Sequence, residues 1–261
     1  MAKAGVVYLM YHELEAAGRP MCSKDPGYVR YVVRETDFRG HLEGLVASGL
    51  HGISVSEALD GACGGLERVC ITFDDGCETD SLIAAPALKQ FGFGATFYIV
   101  VGFLGRRGYM SSAQVRALGG SGFEIGCHSM THAYLPGLNS KRLEEEIVAS
   151  KDRLEQVSGR QVEHFSCPGG RWSSAVARAC RGAGYRSVAT SRIGINHTPA
   201  DAFKLARVAV QRGTAPADVR SFCRGEGFWR SRIRQMLLDG AKTLAGNTTY
   251  ERLRAAVLAR R

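Results

Sequence analysis

From its first residues to about Val210 the chain alternates short apolar runs with amphipathic stretches, and this alternation most limits the folds open to it. Apolar runs bounded by turn residues read as buried strands. Strands separated by helical sequence pair in parallel, because only a crossover returns the chain to the same end of a sheet. Seven such runs occur, at 6–10, 69–73, 95–101, 123–127, 164–167, 185–189 and 205–210. They predict an α/β barrel, and 261 residues with 45% apolar content suffice to bury its core in one domain.

Between the runs, Thr36 is placed to cap a helix through Ser48, Thr79 one through Phe91 and Ser111 a short one through Leu118. Asn139 or Ser140 opens the clearest helix, where Leu143, Ile147, Leu154 and Val157 recur at helical spacing until Gly159 ends it. After Gly213 the alternation stops. Residues 228–244 and 250–258 place Trp229, Ile233 and Leu237, then Leu253 and Val257, on one side among Arg and Lys. The expected organisation is a barrel over 1–213 with a basic helical extension, 214–261, packed on it. The extension is read either as a solvated helix pair or as a surface for anionic lipid or a membrane-bound partner.

A formal charge of +9 suits nucleic acid, an anionic membrane or an acidic glycan. Nucleic acid is disfavoured, because the basic residues show no aromatic interleaving on a recognisable module. No apolar run approaches the roughly 18 residues of a spanning helix, and residues 1–10 lack the order of a signal peptide. A cytoplasmic location is therefore expected, with the inner membrane face as a docking surface. The eight cysteines (22, 63, 70, 77, 127, 167, 180 and 223) form no CxxC, and several sit in strand-like runs, so they read as reduced thiols.

Two clusters carry chemistry. Ile71-Thr72-Phe73-Asp74-Asp75-Gly76 puts adjacent carboxylates where an apolar strand ends at a glycine. Neighbouring strand residues point apart, so one carboxylate is free to bind a metal while the other faces substrate. Gly126-Cys127-His128-Ser129-Met130-Thr131-His132 follows another strand, and its imidazoles stand four residues apart, which on a helical turn places both on one face. Both clusters fall at the C-terminal ends of barrel strands, where barrel active sites assemble. Two His and one Asp make three ligands and leave an open position for water, the catalytic rather than the structural pattern for zinc.

The succession TFDDG, then HSMTH, then a Pro-Gly turn after a further strand resembles the polysaccharide deacetylase family, the NodB homology domain of carbohydrate esterase family 4. The resemblance covers about residues 5–210 and implies a distorted (β/α)7 barrel. It implies that Asp74 is the general base and that Asp75, His128 and His132 bind a divalent ion. Zinc is the default for that donor set, and Fe2+, Co2+ and Ni2+ accept it too. The substrate expected is an N-acetylated sugar or polysaccharide; the oligomeric state is left open.

The third family motif departs from its usual form and reads Phe165-Ser166-Cys167-Pro168-Gly169-Gly170. Ser166 stands where the family's base-orienting arginine belongs and Gly169 at the aromatic position. The implied oxyanion contact is backbone N–H, so Pro168, Gly169 and Gly170 remain its candidates. Arg207, on the last strand, is a candidate substitute for the missing arginine, beside the reading of an ordinary surface arginine. The family's fourth, Asp-rich motif is not evident in 190–201. Tyr11-His12 resembles the opening of the subgroup that includes poly-N-acetylglucosamine deacetylases, which makes His12 the candidate acid. His41, His51, His164 and His197 read as structural or exposed. Two further readings stay open: a catalytically silent barrel that binds glycan or a partner, and a deformylase or deacylase of a lipid-linked sugar at the cytosolic membrane face.

Overall fold

The computed structural model describes residues 5–61, 67–197 and 200–228. The expected C-terminal helices with Trp229, Ile233, Leu237, Leu253 and Val257 lie outside the described residues, as does Cys63. In chain order the strands are β1 (Gly5–Tyr11), β2 (Leu14–Glu15), β3 (Val33–Arg34), β4 (Leu50–Ile53), β5 (Glu67–Phe73), β6 (Thr96–Ile99), β7 (Glu124–Cys127), β8 (His164–Ser166), β9 (Ser187–Ala189), β10 (Asn196–His197) and β11 (Val208–Ala209). β1, β5, β6, β7, β8 and β9 pair successively in parallel. Leu205 then bridges to Ala189 and β11 pairs with β1, so 205–209 closes the ring as its seventh member. This is the α/β barrel that the seven apolar runs predict.

Strands β2, β3, β4 and β10 were not legible. Leu50–Ile53 pairs with the first half of β5, on the edge whose second half takes β6. His51 and Gly52 interrupt its apolar pattern, yet Gly52 is needed, since a Cβ there would meet Ile71 at 2.6 Å and Phe93 at 2.7 Å. The helix over 36–48 is found as Glu35–Ala47, entered from Arg34 without a side-chain cap. Thr79 likewise caps nothing, and its Oγ1 instead accepts from Leu14 N–H at 3.2 Å. Ser111 and Asn139 do cap their helices, and Gly159 ends the second one in the left-handed conformation.

Alternation along the strands sorts the core. Val69, Ile71, Phe73 and Phe97 pack outward under the helices, whereas Tyr8, Cys70, Tyr98, Ala189 and Leu205 form a second cluster inside the ring. Gly126 leaves the space for Tyr98, whose ring a Cβ would meet at 2.4 Å. The inward series Cys70 and Thr72 leads to Asp74, and His164 leads to Ser166. Both series therefore end at the C-terminal mouth of the barrel. At the opposite end His164 is spent on structure, with Ser56 Oγ and Ser187 Oγ each 2.8 Å away. The helix Pro216–Cys223 packs on Glu35–Ala47, where His41 Nε2 lies 2.8 Å from Thr214 O.

Candidate active site

Asp74 still belongs to the ladder, its N–H donating to Tyr11 O at 3.0 Å. A continued strand would send Asp75 to the other face. Instead Asp75 and Gly76 adopt φ of 78° and 75°, and two left-handed residues in succession bring the Asp75 carboxylate round beside Asp74. The two carboxylates are thus separated by a turn and not by the pleat. For an aspartate this conformation costs about 1 kcal/mol, which the surrounding contacts offset.

His128 leaves β7 with its N–H on Ile99 O at 2.8 Å. Its Nδ1 lies 2.8 Å from Ser166 O, so that nitrogen carries the hydrogen and Nε2 is left with a free lone pair. His128 Nε2 is 3.6 Å from Asp75 Oδ1 and 3.8 Å from Asp74 Oδ2, while His132 Nε2 is 3.4 Å from Asp75 Oδ1. The helical turn expected for 128–132 is absent: Ser129 and His132 take φ of 69° and 63°, and the imidazoles meet across a tight loop. Ser129 Oγ holds that loop by accepting from His132 N–H at 3.0 Å.

A residue missed in the sequence secures the loop from below. Glu146 is fully buried and accepts from the N–H groups of Met130 (3.0 Å) and Thr131 (2.9 Å) and from Thr131 Oγ1. Its signal was a charged side chain beside Ile147 and Ser150 on the buried side of its helix. Glu146→Ala is expected to destabilise the fold by about 1–3 kcal/mol through unsatisfied donors. It should also weaken divalent-metal binding ~10- to 100-fold, the usual effect of losing a partner behind the ligands. Calorimetric metal titration checks this, and unchanged affinity would confine Glu146 to folding.

Arg207, only 1% exposed, grips Asp74 with both arms: Nη1 to Oδ1 and Nη2 to Oδ2, each 2.7 Å. Its remaining donors reach Thr190 O (2.9 Å), Thr72 Oγ1 (3.2 Å) and Ser166 Oγ (2.8 Å). Burial by itself would raise the Asp74 pKa. The Arg207 guanidinium, aided by His128, outweighs it and holds the carboxyl well below the usual range. Ser166, which replaces the motif arginine, donates to Asp74 Oδ2 at 3.2 Å and so joins the two groups.

His12 follows β1, its ring 5.0 Å from that of Tyr31 and its Nδ1 buried without a hydrogen-bond partner. Its charge is among those that lower Asp74. Of the three oxyanion candidates, Pro168 has no N–H and Gly170 donates to Cys167 O at 2.8 Å, which leaves Gly169. The space an aromatic at 169 would fill is taken by Tyr134, whose ring a Cβ would meet at 2.7 Å and on which the Arg171 guanidinium stacks at 3.8 Å.

One donor atom from each of Asp75, His128 and His132 lies within 4.8 Å of the others. Asp75 Oδ1 is buried and accepts no hydrogen bond, and it faces the lone pair of His128 Nε2. Two buried lone pairs turned on one another repel unless a cation stands between them, so the residues fit a divalent ion. Residues 62–188 also match the family model described as polysaccharide deacetylase. The chain carries a domain of that family.

The deacetylase-family domain is 32% identical over 121 residues to a peptidoglycan-N-acetylglucosamine deacetylase of Bacillus cereus, covering 46% of this chain and 54% of the relative. It is 30% identical over 125 residues to a chitooligosaccharide deacetylase of Azorhizobium caulinodans, covering 47% and 58%. The chain thus spans little more than half the length of these curated relatives. In fold, the Streptococcus pyogenes deacetylase PplD, solved in complex with acetate, superposes with a TM-score of 0.75 over 85% of this chain and 99% of its own, at 19% identity.

Burial pushes His128 down from 6.5 to about 4, against the pull of Asp74. A depressed folded pKa means that the unfolded chain binds the proton first. In chelator, the domain is therefore expected to lose ~3 kcal/mol of stability as pH falls from 6.5 to about 4. Urea unfolding across that window checks the sign, and His128→Ala should flatten this part of the profile.

Proposed function

We propose that the chain is a metal-dependent hydrolase that removes an N-acetyl or related acyl group from an amino sugar in a polysaccharide, oligosaccharide or glycolipid precursor. The observation that carries this reading is the convergence of Asp75, His128 and His132 on one point beside an ionised, arginine-clamped Asp74. The names of the bacterial relatives support the substrate class. Asp75, His128 and His132 hold the cation, zinc by default, with Fe2+, Co2+ and Ni2+ suited to the same donors. When bound, the ion lowers the pKa of a coordinated water and polarises an amide carbonyl.

The chain's own groups do the rest. Asp74 accepts a proton from the attacking water. Arg207 and Ser166 fix both of its oxygens, which holds the acceptor lone pairs in one direction. Gly169 N–H donates to the carbonyl oxygen as negative charge develops there. His12 returns a proton to the departing sugar nitrogen. The silent-barrel alternative drew on Ser166 in place of the motif arginine and on the unrecognised fourth motif; the grip of Arg207 on Asp74 answers the first of these and supports the catalytic reading. A panel of N-acetylated sugars assayed for released acetate tests the proposal; no acetate from any member in the presence of metal would overturn it.

The basic sequence beyond residue 228 favours a second reading of the substrate, a lipid-linked amino sugar at the cytosolic membrane face. The expected result is co-sedimentation with anionic vesicles at low salt, lost when residues 229–261 are removed. Absence of binding by the full chain would exclude it.

A further inference from the structure

Beside the Asp75 turn, a second group of metal-competent side chains comes together from separate parts of the chain. Glu13 follows His12, Cys22 belongs to the loop behind β2, and Cys77 follows Gly76. Their donor atoms all lie within 4.8 Å of one another. The two sulfurs are 3.8 Å apart. Sulfurs bound to one tetrahedral ion at ~2.3 Å stand about 3.8 Å from each other, whereas a disulfide needs ~2.05 Å. We propose that Glu13, Cys22 and Cys77 form a second, thiolate-rich site for a borderline-soft divalent cation of the zinc type.

The surroundings are built to hold these groups. Cys22 N–H donates to both Glu13 oxygens, at 3.1 and 3.0 Å, which orients the carboxylate and leaves lone pairs unused. Cys22 Sγ is 3.1 Å from Gly108 O, and Gly108 has no Cβ because one would meet that sulfur at 2.7 Å. Tyr28 Oη lies 3.4 Å from Cys77 Sγ and closes another side. Glu13 and Cys77 are buried while Cys22 is half-exposed, so the group has a path to solvent.

The charge balance points the same way. Asp80 is fully buried, and neither carboxyl oxygen has a hydrogen-bond partner. Burial, and after it Asp75, Cys22 and Glu13, push its carboxyl well above the usual carboxylate range, so that it keeps its proton. Among the described residues no Lys or Arg forms an ion pair with Glu13 or Asp80. Acids crowded together in burial without a counter-charge hold protons in place of charge, and a cation at the Glu13–Cys22–Cys77 point supplies the missing counter-charge. Coordination replaces the S–H bond of each cysteine by a metal–sulfur bond and releases two protons to solvent. The bound ion would tie the 13–28 segment, which directly follows His12, to the turn that presents Asp75.

The test is Co2+ titration of the reduced, chelator-stripped full chain, read by absorption. The Asp75, His128 and His132 site has no sulfur ligand, so a sulfur-to-cobalt charge-transfer band reports the second site alone. The expected result is two equivalents bound, one of them with that band. The double variant Cys22→Ser/Cys77→Ser should lose the band and one equivalent. The single variant Cys22→Ser, altered at a half-exposed position, should lose the band even where the double variant fails to fold. His128→Ala/His132→Ala should keep the band and lose the other equivalent. One equivalent with no band in the wild-type chain would overturn the proposal, as would a band that survives Cys22→Ser or a Cys22–Cys77 disulfide in the reduced preparation.

Discussion

Asp74→Asn is expected to retain full divalent-metal occupancy and to lose at least ~10²-fold, and up to ~10⁴-fold, of the turnover. The side chain keeps its volume and one acceptor for Arg207, and Asp75, His128 and His132 are untouched, so the metal site should survive. What disappears is the ionised oxygen that takes the proton. Measuring metal content together with acetate release separates the two, and His128→Ala, which should lose both, is the control. Near wild-type activity in Asp74→Asn would remove that residue from the role of base.

Arg207→Met should destabilise the fold more than Glu146→Ala, by about 3–5 kcal/mol. Removing one partner of a buried pair leaves the other charged and alone. Burial is the largest influence on Asp74, and it acts to raise the pKa; only Arg207 and its helpers reverse it. In the wild type the depressed pKa gives stability that is present above the unfolded value of 3.8 and lost only as pH falls below it. Without the guanidinium the folded pKa should rise above the unfolded one. The sign then inverts, and stability should drop as pH rises through the carboxylate range. Urea unfolding at pH 4 and pH 7 is the check. Arg207→Lys should rescue only in part, because an ammonium cannot meet both oxygens in one plane. Equal stability of Arg207→Met and wild type at both pH values would show that the pair contributes little.

Much of the barrel was legible because a buried parallel strand is a run of apolar residues, a one-dimensional signal. The strand Leu50–Ile53 was not, because its Gly52 answers a contact with Ile71 and Phe93 that exists only after folding. The same holds for the ligand loops. The spacing of His128 and His132 pointed to a shared ion but also to a helical turn, and the left-handed Ser129 and His132 replace that turn. Left-handed residues other than glycine leave no mark in composition, since the surrounding contacts impose them. Glu146 and Ser166 each stand where a local reading sees only a helix or a departure from a motif.

The sequence by itself determined the strand–helix alternation, the two clusters 74–75 and 128–132 at strand ends, and the arginine at 207. Those features depend on the order of residue types along a few neighbours, which the chain carries without folding. Tertiary structure alone decided that Asp74, Ser166 and Arg207 close into one hydrogen-bonded group, that Asp75 turns toward the imidazoles, and that Cys22 meets Cys77. Each joins segments from tens of residues to more than a hundred residues apart, or requires a backbone conformation held in place by such a junction. Ring closure through 205–209 is what carries Arg207 to the carboxylate.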